Sequence, residues 1–485
     1  MNRASAAPMA AVVALAGVLA FGYAEQPHAH STKALEATST PVDSTTVICP
    51  AVTGSGAGLV TTMSVADLGP ALSAGRLPVT ISAQVLHGKA SSSVRIDPSP
   101  IATVTKTTPY GAVALVARGP GAGQIVVDQT GTQTAGLGRS ISGVPCLAPA
   151  TDWWFVGADG SVGIDDTMIL ANPSNTNVNV SATGWSDTGP LTLPTLRSLV
   201  IPPRSAEQFK VASFAPDARK IALHVHAASG TVAVAIADRR ILGIHPHGSD
   251  WIPPTSPAAQ KVVVAGYPSV ASASHLLLSN PGNHDATVNL RVITPTGNFQ
   301  PAGRQSVLVP AARTVDVDLT GAFAGDVGSV LVDSDQPVLA QGLVLAHVRN
   351  KYDDVAWLPA SQPLGAESGI AANDPPFNQL SRLLLTAPAG AARVRIASPG
   401  GASVVVSVPA GRMASVDLRS ALHIGGTASI GPIALLPLDS SPVYASRVLY
   451  ALGLHGPLLS SEAPVTLPVP IVLPPAVEDL RAGTR

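Results

Sequence analysis

His224 and His226 stand two residues apart in ALHVHAAS. On a strand, positions i and i+2 share a face, so two such imidazoles could ligate one metal ion. His245 and His247 repeat the spacing in HPHGSD, close to Asp250. Neither pair has a full ligand set nearby in sequence, so both are read as surface or sheet-face histidines, and no metal site or cofactor is expected. The carboxylate pairs Asp165-Asp166 and Asp353-Asp354 offer oxygen ligands of the kind calcium takes, and they are read as solvated loops. Trp153 and Trp154, in TDWWFVG, are adjacent indoles and so point to opposite faces of a strand. One is expected in the core. The other should cover a domain junction or form a ligand platform, as indoles do against sugar rings.

Short-range signatures of catalysis are missing. The chain has no G-x-S-x-G elbow, no H-E-x-x-H, no phosphate loop, no G-x-G-x-x-G and no C-x-x-C. No catalytic residue is therefore assigned. Carboxylates brought together from distant positions, as in glycosidases, stay open as an alternative.

The elements that must position these residues are strands. HLLLSNPGNHDATVNLRVITPTG, from His275, alternates apolar and polar residues with period two and is broken by Asn-Pro and Pro-Thr-Gly turns. Asn172-Pro173 precedes Pro202 by the same interval that separates Asn280-Pro281 from Pro310, and both landmarks recur 108 residues on. A fourth copy carries Ala387-Pro388 in place of Asn-Pro. The expectation is an all-β chain of tandem immunoglobulin-like β-sandwich units, with a β-propeller as the alternative. The expected bounds are 45–150, 151–245, 259–350 and a shortened 378–458, with Pro-rich joints at 245–258 and 357–377 and a Pro-rich tail at 459–485. About seven strands are expected in the third unit. Aromatic residues make up 4% and charged residues 12%, so the cores must be built from Val, Leu, Ile and Ala. With 29 basic and 30 acidic residues, no electrostatic pull toward nucleic acid is expected.

Residues 1–24 open with a short basic stretch, Met1 to Arg3, and continue as an uncharged, mostly apolar run from Ala4 to Ala24, the pattern of a signal peptide or a single membrane-anchor helix. Residues 25–44, which include His28 and His30, are polar and read as a linker. Cys49 and Cys146 are the only cysteines, and in an exported chain a lone pair implies a disulfide.

The cysteine-bracketed first region, the junction PCLAPATDWWFVG ending at Gly157, the Asn-Pro hairpins followed by Ile-Pro-Pro or Val-Pro, and closing strands such as DQPVLA resemble a family of actinobacterial, exported, envelope-associated proteins known only as a domain of unknown function. The resemblance implies an extracytoplasmic protein, secreted or membrane-anchored, and supplies no catalytic residues. The expected role is a non-enzymatic envelope scaffold or binding module, with an envelope polysaccharide or envelope protein as partner. Two alternatives are a glycan hydrolase with dispersed carboxylates and an accessory subunit of a membrane glycosyltransferase.

Overall fold

Along the strand Ala286–Ile293, Ala286, Val288, Leu290 and Val292 are buried, while Thr287, Asn289 and Arg291 face water. That alternation puts one apolar face against a second sheet and leaves the other solvated. The computed structural model describes residues 38–50, 60–72, 75–86, 94–97, 101–106 and 111–473. The apolar run 1–24, His28 and His30, and the tail beyond 473 lie outside the described residues. Among the described residues no helix is long and apolar enough to cross a membrane.

Strands Thr38–Thr40 and Ile471–Leu473 pair with each other in a small antiparallel ladder. Residues 41–469 form a separate body. That body is four β-sandwiches, whose first strands begin at Ser44, Asp152, Ala259 and Ser368, at steps of 108, 107 and 109 residues. Among the described residues each unit carries eight strand positions in two antiparallel sheets, in the order first-sixth-third-fourth and fifth-second-seventh-eighth, to which the third unit adds the short strand Asn298–Phe299 and the fourth Val465–Thr466. The pairings of second with fifth and third with sixth are those of an immunoglobulin-like sandwich. Here the seventh strand crosses to the second, and an eighth is added. In the third unit the sixth and seventh merge into the single strand Gly328–Ala346, which passes from one sheet to the other.

The units are longer than their sequence patterns suggest. Their eighth strands are Ser140–Pro145, His245–Ile252, Asp354–Pro359 and Gly456–Glu462. The second and most of the third fall in stretches that read as Pro-rich joints or lie beyond the expected bounds, and the fourth runs into the expected tail. The first strand of the fourth unit, Ser368–Ile370, also lies in an expected joint, so that unit keeps all eight strands. Only its third-to-fourth hairpin, Ala392–Ala397 to Ser403–Val408, is short. The reason is burial. Asp354–Pro359 and Gly456–Glu462 are buried at every residue, so no polar-apolar alternation marks them.

Both faces are covered because the eighth strands meet. His245–Ile252 packs against Ser140–Pro145 and Asp354–Pro359, and Gly456–Glu462 packs against the same two, which closes a ring. The cores follow it around. Val144 joins Ile169 and Trp251, Leu277 and Trp357 join the second unit's core, Leu384 and Val448 the third's, and Ile141 packs with Leu449 and Leu458. Among the described residues no ladder runs from one unit into the next, and each unit is a two-sheet sandwich, so the body is neither a closed barrel nor a propeller. Gly157 shows how close the approach is. Its φ is +112°, and a Cβ there would lie 2.4 Å from the ring of Trp357, so the position is closed to any larger residue.

Cys49 and Cys146 are joined in a buried disulfide that ties the first strand of one sheet to the end of the other sheet in the first unit. By the chain-entropy model, closing a span of 97 residues contributes about 4–5 kcal/mol.

The common interval between Asn-Pro and the later proline has a direct cause. Asn172 Oδ1 accepts the Ser174 N–H at 2.9 Å, an Asx turn, while Nδ2 donates to the carbonyls of Thr176, Ile201 and Pro202 at 2.7, 3.0 and 3.0 Å. Asn280 does the same with Gly282 N–H, His284 O and Val309 O at 3.0, 2.7 and 3.1 Å. Each amide pins the turn after the second strand to the link that follows the fourth. Asn280→Ala should therefore strand several buried groups and cost about 2–4 kcal/mol in chemical denaturation. Asn289→Ala, on the exposed face of the same unit, should stay within about 0.5 kcal/mol of the parent.

Candidate functional site

Three places gather ionisable or aromatic side chains: the seams of the ring, a cleft at the tips of its hairpins, and the outer face of the second unit.

At the seams, buried carboxylates accept backbone N–H groups across unit boundaries. Asp354 accepts from Leu459 at 2.9 Å and Ser249 at 3.4 Å, and Asp250 accepts from Trp357 at 3.2 Å. Asp128 accepts from Ala371 at 2.6 Å and Ala372 at 2.9 Å. Burial pushes Asp354 up to about 8, against the opposing pull of these donors and the Arg139 guanidinium. Burial raises Asp250 and Asp128 as well, and it raises Glu462 together with the nearby charge of Asp128. Glu462 is ion-paired with buried Arg447. In the second unit, Asp166 is raised well above the carboxylate range by burial and then by the nearby charge of Asp238. Asp238 in turn accepts from Trp357 Nε1 at 2.7 Å and Arg240 Nε at 2.8 Å. The pairs Asp165-Asp166 and Asp353-Asp354 are thus not solvated loops. One member of each is buried and bonded, while Asp165 pairs with Lys210 and Arg239.

The hairpins joining seventh and eighth strands converge beside this ring. Arg139, from the first unit, donates to the carbonyls of Asp353 and Pro457. The other three hairpins line an open cleft of about 500 Å³ that includes His245, His247, Lys351, Tyr352, Asp353 and His455. The Asp353 carboxylate pairs with His247 Nδ1 at 2.8 Å and accepts from His347 Nδ1 at 2.7 Å. His247 therefore works with Asp353 of the third unit, while the ring of His245 lies 5.9 Å from that of Tyr352. Their sequence neighbour Asp250 is buried and faces away into the seam. Leu242, Ile244 and Leu454 stand exposed at the hairpin tips.

On the second unit, Trp153 is core and donates Nε1–H to Val232 O at 2.8 Å. Trp154 points to the opposite face, beside Asp152 and across from His224 and His226 on the sixth strand, in the register Asp152↔His226 and Trp154↔His224. Its ring lies 3.9 Å from that of His224 at 7°, and Trp185 follows in the stack at 6.3 Å. His224 Nε2 and His226 Nδ1 both lie 2.9 Å from Asp152 Oδ1. Hydrogen bonds from His226 and His224 hold Asp152 down at about 2. A sugar platform needs a free indole face. Here the imidazole covers one face of Trp154, which disfavours that use of it. Trp357 and Asp152 have no signature in the sequence; each becomes visible only when strands distant in the chain are set side by side.

Two outcomes follow. Asp354 holds a proton in the folded chain that it loses in the unfolded one at neutral pH. Its stabilising effect is therefore complete below about pH 4 and disappears as pH rises through about 8. The urea midpoint should be higher near pH 5 than near pH 8.5, and Asp354→Asn should shrink that difference. Trp153→Ala should cost about 3–5 kcal/mol by the same assay, and Trp154→Ala no more than about 1.5 kcal/mol.

A family model described as a family of unknown function (DUF5719) matches residues 101–419, from the fifth strand of the first unit into the fourth unit. Among curated proteins none matches the chain. The matched span is about two thirds of the sequence and contains the Trp153-Trp154 junction, both Asn-Pro turns and most of the ring, so the chain belongs to this family of unknown function.

Proposed function

We propose that the protein is a non-enzymatic, exported scaffold or binding module of the cell envelope, and that it takes an envelope polysaccharide in the cleft between the hairpin tips. The cleft carries the reading: it is open, and Tyr352, Lys351 and three histidines offer a ring face and polar donors suited to a hydroxyl-rich chain. The buried disulfide supports an oxidising, extracytoplasmic location. Against the glycan-hydrolase alternative, Asp353 is the one carboxylate among the described residues lining the cleft, and glycosidases work with two. Exposed Leu242, Ile244 and Leu454 favour a second reading, an envelope-protein partner docked on the same rim, which includes the accessory role to a membrane glycosyltransferase.

The purified protein should be retained saturably on isolated envelope polysaccharide, with binding weakened at least about tenfold by Tyr352→Ala and unchanged by Trp154→Ala. No new reducing ends should appear. Absence of retention, or retention indifferent to Tyr352→Ala and Lys351→Ala, would remove the polysaccharide reading. Capture of an envelope protein that is lost in Leu242→Asp would then favour the second.

A further inference from the structure

We propose that Asp152, His224 and His226 form a binding site for a late first-row divalent cation of the zinc type on the outer face of the second unit. This inference is independent of the cleft and its ligand.

The site is assembled by strand register. Asp152 sits directly opposite His226, and His224 lies two residues before His226 on the same face. Asp152 Oδ1, His224 Nε2 and His226 Nδ1 all lie within 4.8 Å of one another. Tetrahedral coordination at 2.0–2.2 Å separates neighbouring ligand atoms by about 3.3 Å. The two present N–O separations of 2.9 Å need to open only slightly to admit an ion. Both imidazole nitrogens aim at the same carboxylate oxygen, so when an ion displaces their protons the freed lone pairs converge on one place.

Neighbours hold the ligands in place. Thr151 Oγ1 donates to Asp152 Oδ2 at 2.9 Å, which leaves Oδ1 free to ligate. The Trp154 ring, stacked on His224, fixes that imidazole's plane. Two imidazoles and one carboxylate suit zinc, copper or nickel better than calcium or magnesium, which prefer all-oxygen sites. With Asp152 and His226 nearly half exposed, at 45% and 47%, a further coordination position faces solvent and is open to water or to a donor from another molecule.

The test uses the full chain, treated with a chelator and then titrated with zinc chloride by calorimetry. The expected result is one equivalent bound with micromolar or tighter affinity. His224→Ala, His226→Ala and the conservative His226→Gln should each weaken it at least about tenfold, while His247→Ala with His347→Ala leaves it unchanged. Because Trp154 touches His224, cupric ion in place of zinc should quench tryptophan emission stoichiometrically, and Trp154→Phe should keep the binding while losing most of the quench. Circular dichroism confirms that each variant is folded. The proposal is overturned if the folded parent binds no zinc stoichiometrically. It is equally overturned if one-equivalent binding survives in the His224→Ala, His226→Ala double variant.

Discussion

An edge strand buried against another unit must find acceptors for the N–H groups it would otherwise offer to water. In this protein the acceptors are carboxylates. Asp354 takes N–H groups from the eighth strands on either side of its own, Asp250 takes one from Trp357, and Asp128 takes two from the fourth unit. These contacts let four sheet edges lie in a ring without pairing into a common ladder. They carry a cost. Burial keeps these acids away from their ordinary ionisation, and the nearby charge of Asp128 raises Glu462 further, as that of Asp238 raises Asp166.

The ring also changes what a unit is. A sandwich of about 100 residues can fold alone when its core is closed. Here the apolar clusters cross every boundary: Trp357, from the third unit, sits in the second unit's core against Gly157 and is held by Asp238. The stretches that read as Pro-rich joints in the sequence hold the second unit's eighth strand, the end of the third's and the first strand of the fourth. The surfaces left for partners are the hairpin tips, where loops of three units share one cleft, and the outer sheet faces, where side chains of alternate residues stand in rows.

Much of the repeat could be read from the sequence, because its marks are local. Asn172 and Asn280 bind carbonyls around the later link, and that fixed reach produces the equal spacing from Asn-Pro to proline. Alternation such as that of Ala286–Ile293 betrays strands with one wet face. The eighth strands escape notice because, wrapped on both sides, Asp354–Pro359 and Gly456–Glu462 carry no alternation. Likewise His224 and His226 announce a shared face, but Asp152 lies 72 and 74 residues away and joins them only through sheet pairing. The association of His247 with Asp353 in place of Asp250 has the same origin: neighbours in sequence were divided between the seam and the surface.

Held through their eighth strands, the four sandwiches should unfold as one cooperative body. Scanning calorimetry of the whole protein tests this most directly, by comparing the heat absorbed with the enthalpy implied by the sharpness of the transition. A ring predicts one dominant transition in which the two enthalpies nearly agree. Several separable transitions, or a calorimetric enthalpy about four times the van't Hoff value, would mean that the sandwiches unfold independently and that the seams contribute little.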